Sequence, residues 1–254
     1  MITRLLLAAL GAGLLAGLLL TPIQYARIVP LILHAETYEE GGVAHEHAAA
    51  RGFVGSAQAT SQGKMPILLA HATAESGSED APPPLLESRL FGTLLANLVT
   101  GAGFALILSA ACLVLGRPIT AANGLLWGAL GFGIVSLAPA LGLAPELPAM
   151  PAGDLADRQL WWIATVALSG LGAGLLILSK KPAFKAFGIL ALALPHLYGA
   201  PQPADLSSPV PPTLAAEFAV ASLATSLVFW LILGLALGAA FDRVRRTSVA
   251  AALA

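Results

Sequence analysis

The chain has 254 residues, of which 57% are hydrophobic and only 11% charged, with a mean hydropathy of +0.82 and a net charge of −1. Soluble domains carry roughly 25% charged residues, so this composition excludes an ordinary soluble enzyme and describes a chain solvated by lipid. The single cysteine, Cys112, lies inside an apolar run; it reads as a small packing residue and excludes a disulfide framework or a cysteine metal cluster within one chain.

A bilayer core about 30 Å thick needs about 20 mostly apolar residues per helix, and six runs approach that length. The first covers residues 3–21, with Pro22 expected to close it and a further apolar stretch to Leu33 able to carry the helix outward. An Arg-led apolar run at an N-terminus is also the pattern of a secretory signal, but no small-x-small cleavage site stands at Gln24, Tyr25 and Ala26, so the run is read as retained. Next comes the one long polar segment, about 34–89, ending in SGSEDAPPP (76–84), too poor in apolar surface to order itself. Order is expected there only near Tyr38, with MPILLA (65–70) a patch that could dock on the membrane or the bundle.

The second run covers about 90–115 and the third about 122–143. A connection follows, Pro139 to Arg158, whose four prolines in twenty residues predict a stiff, extended hairpin bearing Glu146, Asp154 and Asp157. The fourth run, about 159–179, opens on Trp161 and Trp162, which fit an aromatic belt at the membrane interface. The fifth, about 183–198, is the shortest, and Pro195 is expected to kink or end it; the sixth covers about 214–241. The pairs Gly13 and Gly17, Gly124 and Gly128, Gly170 and Gly174, and Gly234 and Gly238 have the four-residue spacing that lets helix backbones approach closely in lipid.

Cytoplasmic connections retain basic residues, which sets the orientation. With the N-terminus inside, Arg4, Arg117, Lys180, Lys181, Lys185, Arg243, Arg245 and Arg246 are cytoplasmic, eight of the thirteen Lys and Arg. Of the fourteen carboxylates only Asp242 then lies inside, and all five histidines, His34, His45, His47, His71 and His196, lie outside. The expected fold is therefore an all-α, polytopic transmembrane helix bundle of about six spans, a single integral membrane domain over 1–254 with both termini cytoplasmic.

The outer residues suit first-row metal chemistry, since neutral imidazole and carboxylate together accept cobalt(II) and nickel(II). In an extended segment the imidazoles of His45-Glu46-His47 point the same way and could chelate one ion, although such pairs also arise by chance in polar loops. If the helix continues past Leu33, His34, Tyr38 and the edge of Glu39 share a face, with Glu36 close by. The bland alternative is a solvated acidic loop. His196 follows Pro195 near the outer end of an apolar span, where an ionisable group is costly unless it faces a cavity or a partner; a capping or packing role is the alternative. No phosphate-binding Gly-Lys-Ser/Thr loop and no HExxH helix is present, and no charged residue sits mid-span, where Asn97 and Asn123 are the most polar side chains.

From end to end the sequence resembles the CbtA family of proposed cobalt transporters. The resemblance rests on the opening apolar run, PLILHAETYEE (30–40) with HEH (45–47), LLANLVTGAGFAL (94–106), GLLWGALGFGIVSLAPALGLAPELPAMPAGDLADRQLWW (124–162), LPHLYGAPQP (194–203) and FAVASLATSLVFWLILG (218–234). It implies a membrane subunit that works with a small, single-span, His-bearing CbtB-type partner, a link to cobalamin synthesis, and five spans where six are counted here. The expectation is a bacterial inner-membrane transporter subunit, able to form homo-oligomers and without nucleic-acid partners, that captures cobalt(II) or nickel(II) as cargo through His34, Glu36, His45, His47 and His196, with no tightly bound cofactor. A non-transporting scaffold or metal-sensing subunit is the competing class. A lipid-modifying enzyme using Asp154, Asp157 or His196 is a weaker third.

Overall fold

A computed structural model of the chain describes residues 2–39 and 89–253, and among these the regular structure is entirely helical. The helices are α1 (Ile2–Arg27), α2 (29–39), α3 (Arg89–Val114), α4 (Gly124–Ala140), α5 (Leu155–Leu178), α6 (Pro182–Tyr198) and α7 (Pro212–Leu253). Four of them, α1, α3, α5 and α7, are long and apolar enough to cross a membrane; α4 and α6 are shorter apolar helices. Most of the polar segment, with His45, His47, His71 and MPILLA, lies outside the described residues.

Pro22 does not close the first helix, which runs through it to Arg27. A proline removes only one backbone donor, and the chain breaks instead at Ile28, two residues before Pro30. The helix resumes as α2, where Pro30 falls in the first turn and needs no partner for its nitrogen. Pro195 lies inside α6, which ends three residues later at Tyr198; the next residue, Gly199, has a φ of 90° that takes it out of helical space. At the other end of α3, Gly116 (φ 60°) forms a two-bond cap: its N–H donates to the Leu113 carbonyl at 3.2 Å and the Arg117 N–H to the Cys112 carbonyl at 3.1 Å.

The helices pack as antiparallel neighbours. Backbones meet at glycine: a methyl built on Gly13 or Gly17 of α1 would overlap the Gly101 and Asn97 carbonyls of α3, and one on Gly124 or Gly128 of α4 would overlap those of Gly234 and Trp230 of α7. Gly238 abuts the Thr120 carbonyl in the same way. Only the Gly170 and Gly174 pair departs from expectation. Space is open around Gly174, and the α5–α6 contact is made by Gly172 against Gly188, because the buried stripe of α5 runs Trp161, Thr165, Ser169, Gly172.

The main core joins α1 (Ala9, Ala12, Ala16, Leu20), α3 (Ala105, Leu108, Cys112) and α7 (Phe229, Trp230, Leu233, Leu237, Phe241). Cys112 is buried there, as its packing role predicts. Between 22% and 39% of each long helix's most apolar window is buried, so most of those side chains face outward and require lipid or protein around them. The α5–α6 hairpin touches the rest through the last turns of α4 and the connection after it.

One end of the bundle carries α2, the 141–154 connection and the 199–211 connection; the other carries 115–123 and the C-terminal part of α7. At this second end the Asp242 carboxylate accepts from the Ala121 N–H at 2.8 Å, while Arg245 donates to the Ile119 carbonyl at 2.8 Å and to Asp242 at 2.5 Å. Asn123 stands at the N-terminal boundary of α4, where its side-chain oxygen braces the preceding turn by accepting from the Thr120 N–H at 2.7 Å.

Candidate functional site

The α2 end gathers most of the described carboxylates and both described histidines. Helical spacing puts Ile28, Leu31, Ile32 and Ala35 on one face, which packs on Leu147, Val210, Leu214 and Phe218 and so lays α2 across the connection after α4 and the start of α7. His34 falls on the exposed side, with its ring 5.8 Å from that of Tyr38, the i+4 neighbour anticipated from the sequence. Glu36 takes a two-pronged hydrogen bond from Arg89 at 2.9 and 3.2 Å, tying α2 to the first residue of α3. Glu39 accepts from the Ala149 N–H at 2.9 Å. Its acceptor role comes at a backbone with φ of 63° at Ala149, where an L-residue with a Cβ is strained.

His196 sits in the last turn of α6, half-buried, edge-on to Trp161 with ring centroids 6.0 Å apart. Trp161 is not a lipid-facing belt residue. It is 5% exposed, fills the space beside Gly142 and donates its indole N–H to the Pro195 carbonyl at 3.2 Å. Trp162 keeps the exposed position. The proline-rich connection is pinned at its end, where the Asp154 side chain caps α5 by accepting from the Ala156 and Asp157 N–H groups at 2.9 and 3.1 Å.

Of the five residues expected to hold metal, His34 and Glu36 thus lie two positions apart on α2, on different faces, and His196 belongs to the α5–α6 hairpin. His45 and His47 lie outside the described residues. Among the described residues no group of three His, Cys, Asp or Glu side chains comes together in a metal-holding cluster.

The same end holds an open cleft of about 670 Å³, walled by the last turns of α4, the connection after it, the start of α5 and the third and fourth turns of α7. Its α4 wall is π-helical over Phe132–Leu137. Pro139, just beyond, has no N–H for the Val135 carbonyl in the tighter register, which removes one bond that would hold an α-turn there. The wide turn brings Ser136 to α7, where its hydroxyl oxygen accepts from the Ser226 hydroxyl at 2.8 Å and from the Trp230 indole N–H at 3.0 Å. Across the cleft Arg158 donates to Glu146 at 2.7 Å, and the Arg158 Nε is buried without a partner. Sequence reading missed this cleft. Ser136, Ser222 and Ser226 are single hydroxyls in apolar runs, and only the proline three residues after Ser136 hinted at an irregular helix.

The family model described as "Probable cobalt transporter subunit (CbtA)" matches residues 2–242. No curated protein and no solved structure matches the chain. With its several apolar helices it is a multi-pass membrane protein, and over nearly its whole length it belongs to the CbtA family of probable cobalt transporter subunits.

Proposed function

We propose that the chain is the polytopic subunit of a cobalt uptake transporter in the bacterial inner membrane. It forms one integral membrane unit with both termini cytoplasmic and works with a small, single-span, His-bearing CbtB-type subunit. In this reading α4 and α6 cross the membrane together with the four long helices, giving six spans, and the α2 end faces outward. His34, Glu36, His196 and, from the polar segment, His45 and His47 capture cobalt(II) or nickel(II) there. The observation that carries this reading is the family match over residues 2–242. Charge supports it: His34, His196, Glu36, Glu39, Glu146, Asp154, Asp157 and Asp205 lie towards one end, and Arg117, Arg243, Arg245 and Arg246 towards the other, as inward capture of a cation requires.

Accumulation of radiolabelled cobalt in cells with and without this chain and its partner tests the proposal; equal uptake in the two sinks it. Replacing His45 and His47 together with alanine is expected to weaken uptake at low metal more than at saturating metal, because capture rather than transit is lost. The competing reading is a membrane scaffold or metal sensor that moves no ion itself. Metal binding by the purified protein without flux into liposomes, with its partner present, decides for that reading.

A further inference from the structure

We propose that a cavity at the basic end of the bundle, between the first turns of α1, the end of α3 and the C-terminal part of α7, seats one anionic phospholipid, with an acyl chain in the cavity and the phosphate on Arg117. The inference does not depend on which ion the chain moves. It needs only that the helices lie in a bilayer.

Three observations carry it. The first is the lining. The cavity encloses about 280 Å³ between Leu5 and Leu6 of α1, Leu113 of α3 and Phe241 of α7. Ser109 also lines it, but its hydroxyl donates to the Ala105 carbonyl at 2.6 Å, so little is left there to hold water. Leu6, Leu113 and the adjacent Val114 are exposed, so the mouth opens on apolar surface that lipid must cover. The second is charge. Arg117 and Arg245 both line the cavity. Arg245 is engaged, donating to the Ile119 carbonyl and to Asp242, whose other oxygen accepts from the Ala121 N–H. Arg117 is exposed and makes no ion pair among the described residues, and the same holds for Arg4, Arg243 and Arg246. Asp242 is the one carboxylate among the described residues at this end, and both of its oxygens are taken. A phosphate therefore meets no competitor for the Arg117 guanidinium, whose fork matches phosphate oxygens in a two-pronged bond. Basic pockets between membrane helices take anionic headgroups for this reason. The third is placement. The Gly116 turn and the following Pro118, which restricts the backbone of Arg117, fix that arginine where α3 ends. A cation above an apolar cavity is the complement of a phosphate above an acyl chain. Free phosphate would leave the cavity unfilled, and an apolar helix would leave Arg117 unpaired.

The test uses the full chain purified in an uncharged detergent and supplied with phosphatidylglycerol or phosphatidylcholine, which differ in net charge. Native mass spectrometry is expected to show one phosphatidylglycerol retained under conditions that strip phosphatidylcholine. Arg117→Gln is expected to weaken that retention about fivefold, the scale of one basic residue at an anionic surface, and Arg117→Lys to keep most of it. Equal retention of the two lipids, or retention unchanged in Arg117→Gln, overturns the proposal. An inorganic phosphate adduct that displaces the lipid overturns it as well. A second measurement locates the lipid in the wild-type chain. Cys112, the single thiol, lines the cavity, so phosphatidylglycerol is expected to slow its alkylation by N-ethylmaleimide relative to phosphatidylcholine by a similar factor. Equal rates place the lipid elsewhere and overturn the proposal.

Discussion

Ala149 sits at a φ of 63° so that its N–H can meet Glu39. The left-handed region costs an L-residue roughly 1–2 kcal/mol, and glycine gives part of that back by its greater freedom when unfolded. Ala149→Gly is therefore expected to raise thermal stability, by up to about 1 kcal/mol, read as the Tm of the purified protein. Asn97 presents the opposite case. It is buried, and its amide donates to the Thr21 hydroxyl at 3.1 Å, while Thr21 donates to the Gly17 carbonyl at 3.0 Å. Such bonds between membrane helices are worth roughly 0.6–1.7 kcal/mol, so Asn97→Leu is expected to lower Tm through both the lost bond and crowding. At Asp205 the Ser207 N–H and hydroxyl hold the carboxyl below the usual carboxylate range. A carboxyl lowered in this way steadies the 205–207 turn above its ordinary titration range and ceases to as the pH falls through the lowered value. Ser207→Ala is expected to move the Asp205 titration, followed by NMR, upward.

Helix packing decides which small residues matter. Gly17→Leu would drive a side chain into the Asn97 carbonyl, whereas Gly174→Leu meets open space. The first is expected to abolish folded protein in detergent and the second to leave yield and Tm near wild type; chromatographic monodispersity of the two separates them. Spacing alone does not distinguish these glycines, because a four-residue repeat marks a helix face without saying which partner it meets. All six predicted runs coincide with helices to within a few residues at one or both ends, since about 20 apolar residues between polar connections is a strong signal. One proline stop was misread: Pro22 removes one donor inside a helix that other bonds and packing maintain, whereas the short run containing Pro195 does end at Tyr198. The α2 strap was legible as a continuation past Leu33, but its attachments to Arg89 and Ala149 join residues 53 and 110 positions apart and leave no local trace. For the same reason the cleft was illegible, because its walls come from two segments, 135–163 and 222–226, far apart in sequence.

At the scale of the whole molecule the proposed six-span topology makes a sharp labelling prediction. In a Cys112→Ala background, Ser207→Cys is expected to react with a membrane-impermeant maleimide added to intact spheroplasts, and Lys181→Cys only after lysis. Equal reactivity of the two sites overturns the topology. The longest element adds a mechanical consequence. Helix α7 has 42 residues, which at about 1.5 Å each is roughly 60 Å, twice the apolar thickness of a bilayer. After its first turn it contains no proline. Leu214 and Phe218 bear on α2, Ser222 and Ser226 wall the cleft, Trp230 holds the π-turn, and Asp242 and Arg245 grip the 119–121 strand of backbone at the far end. One unbroken backbone thus ties the α2 strap and the cleft wall at one end of the bundle to the basic 243–246 stretch at the other.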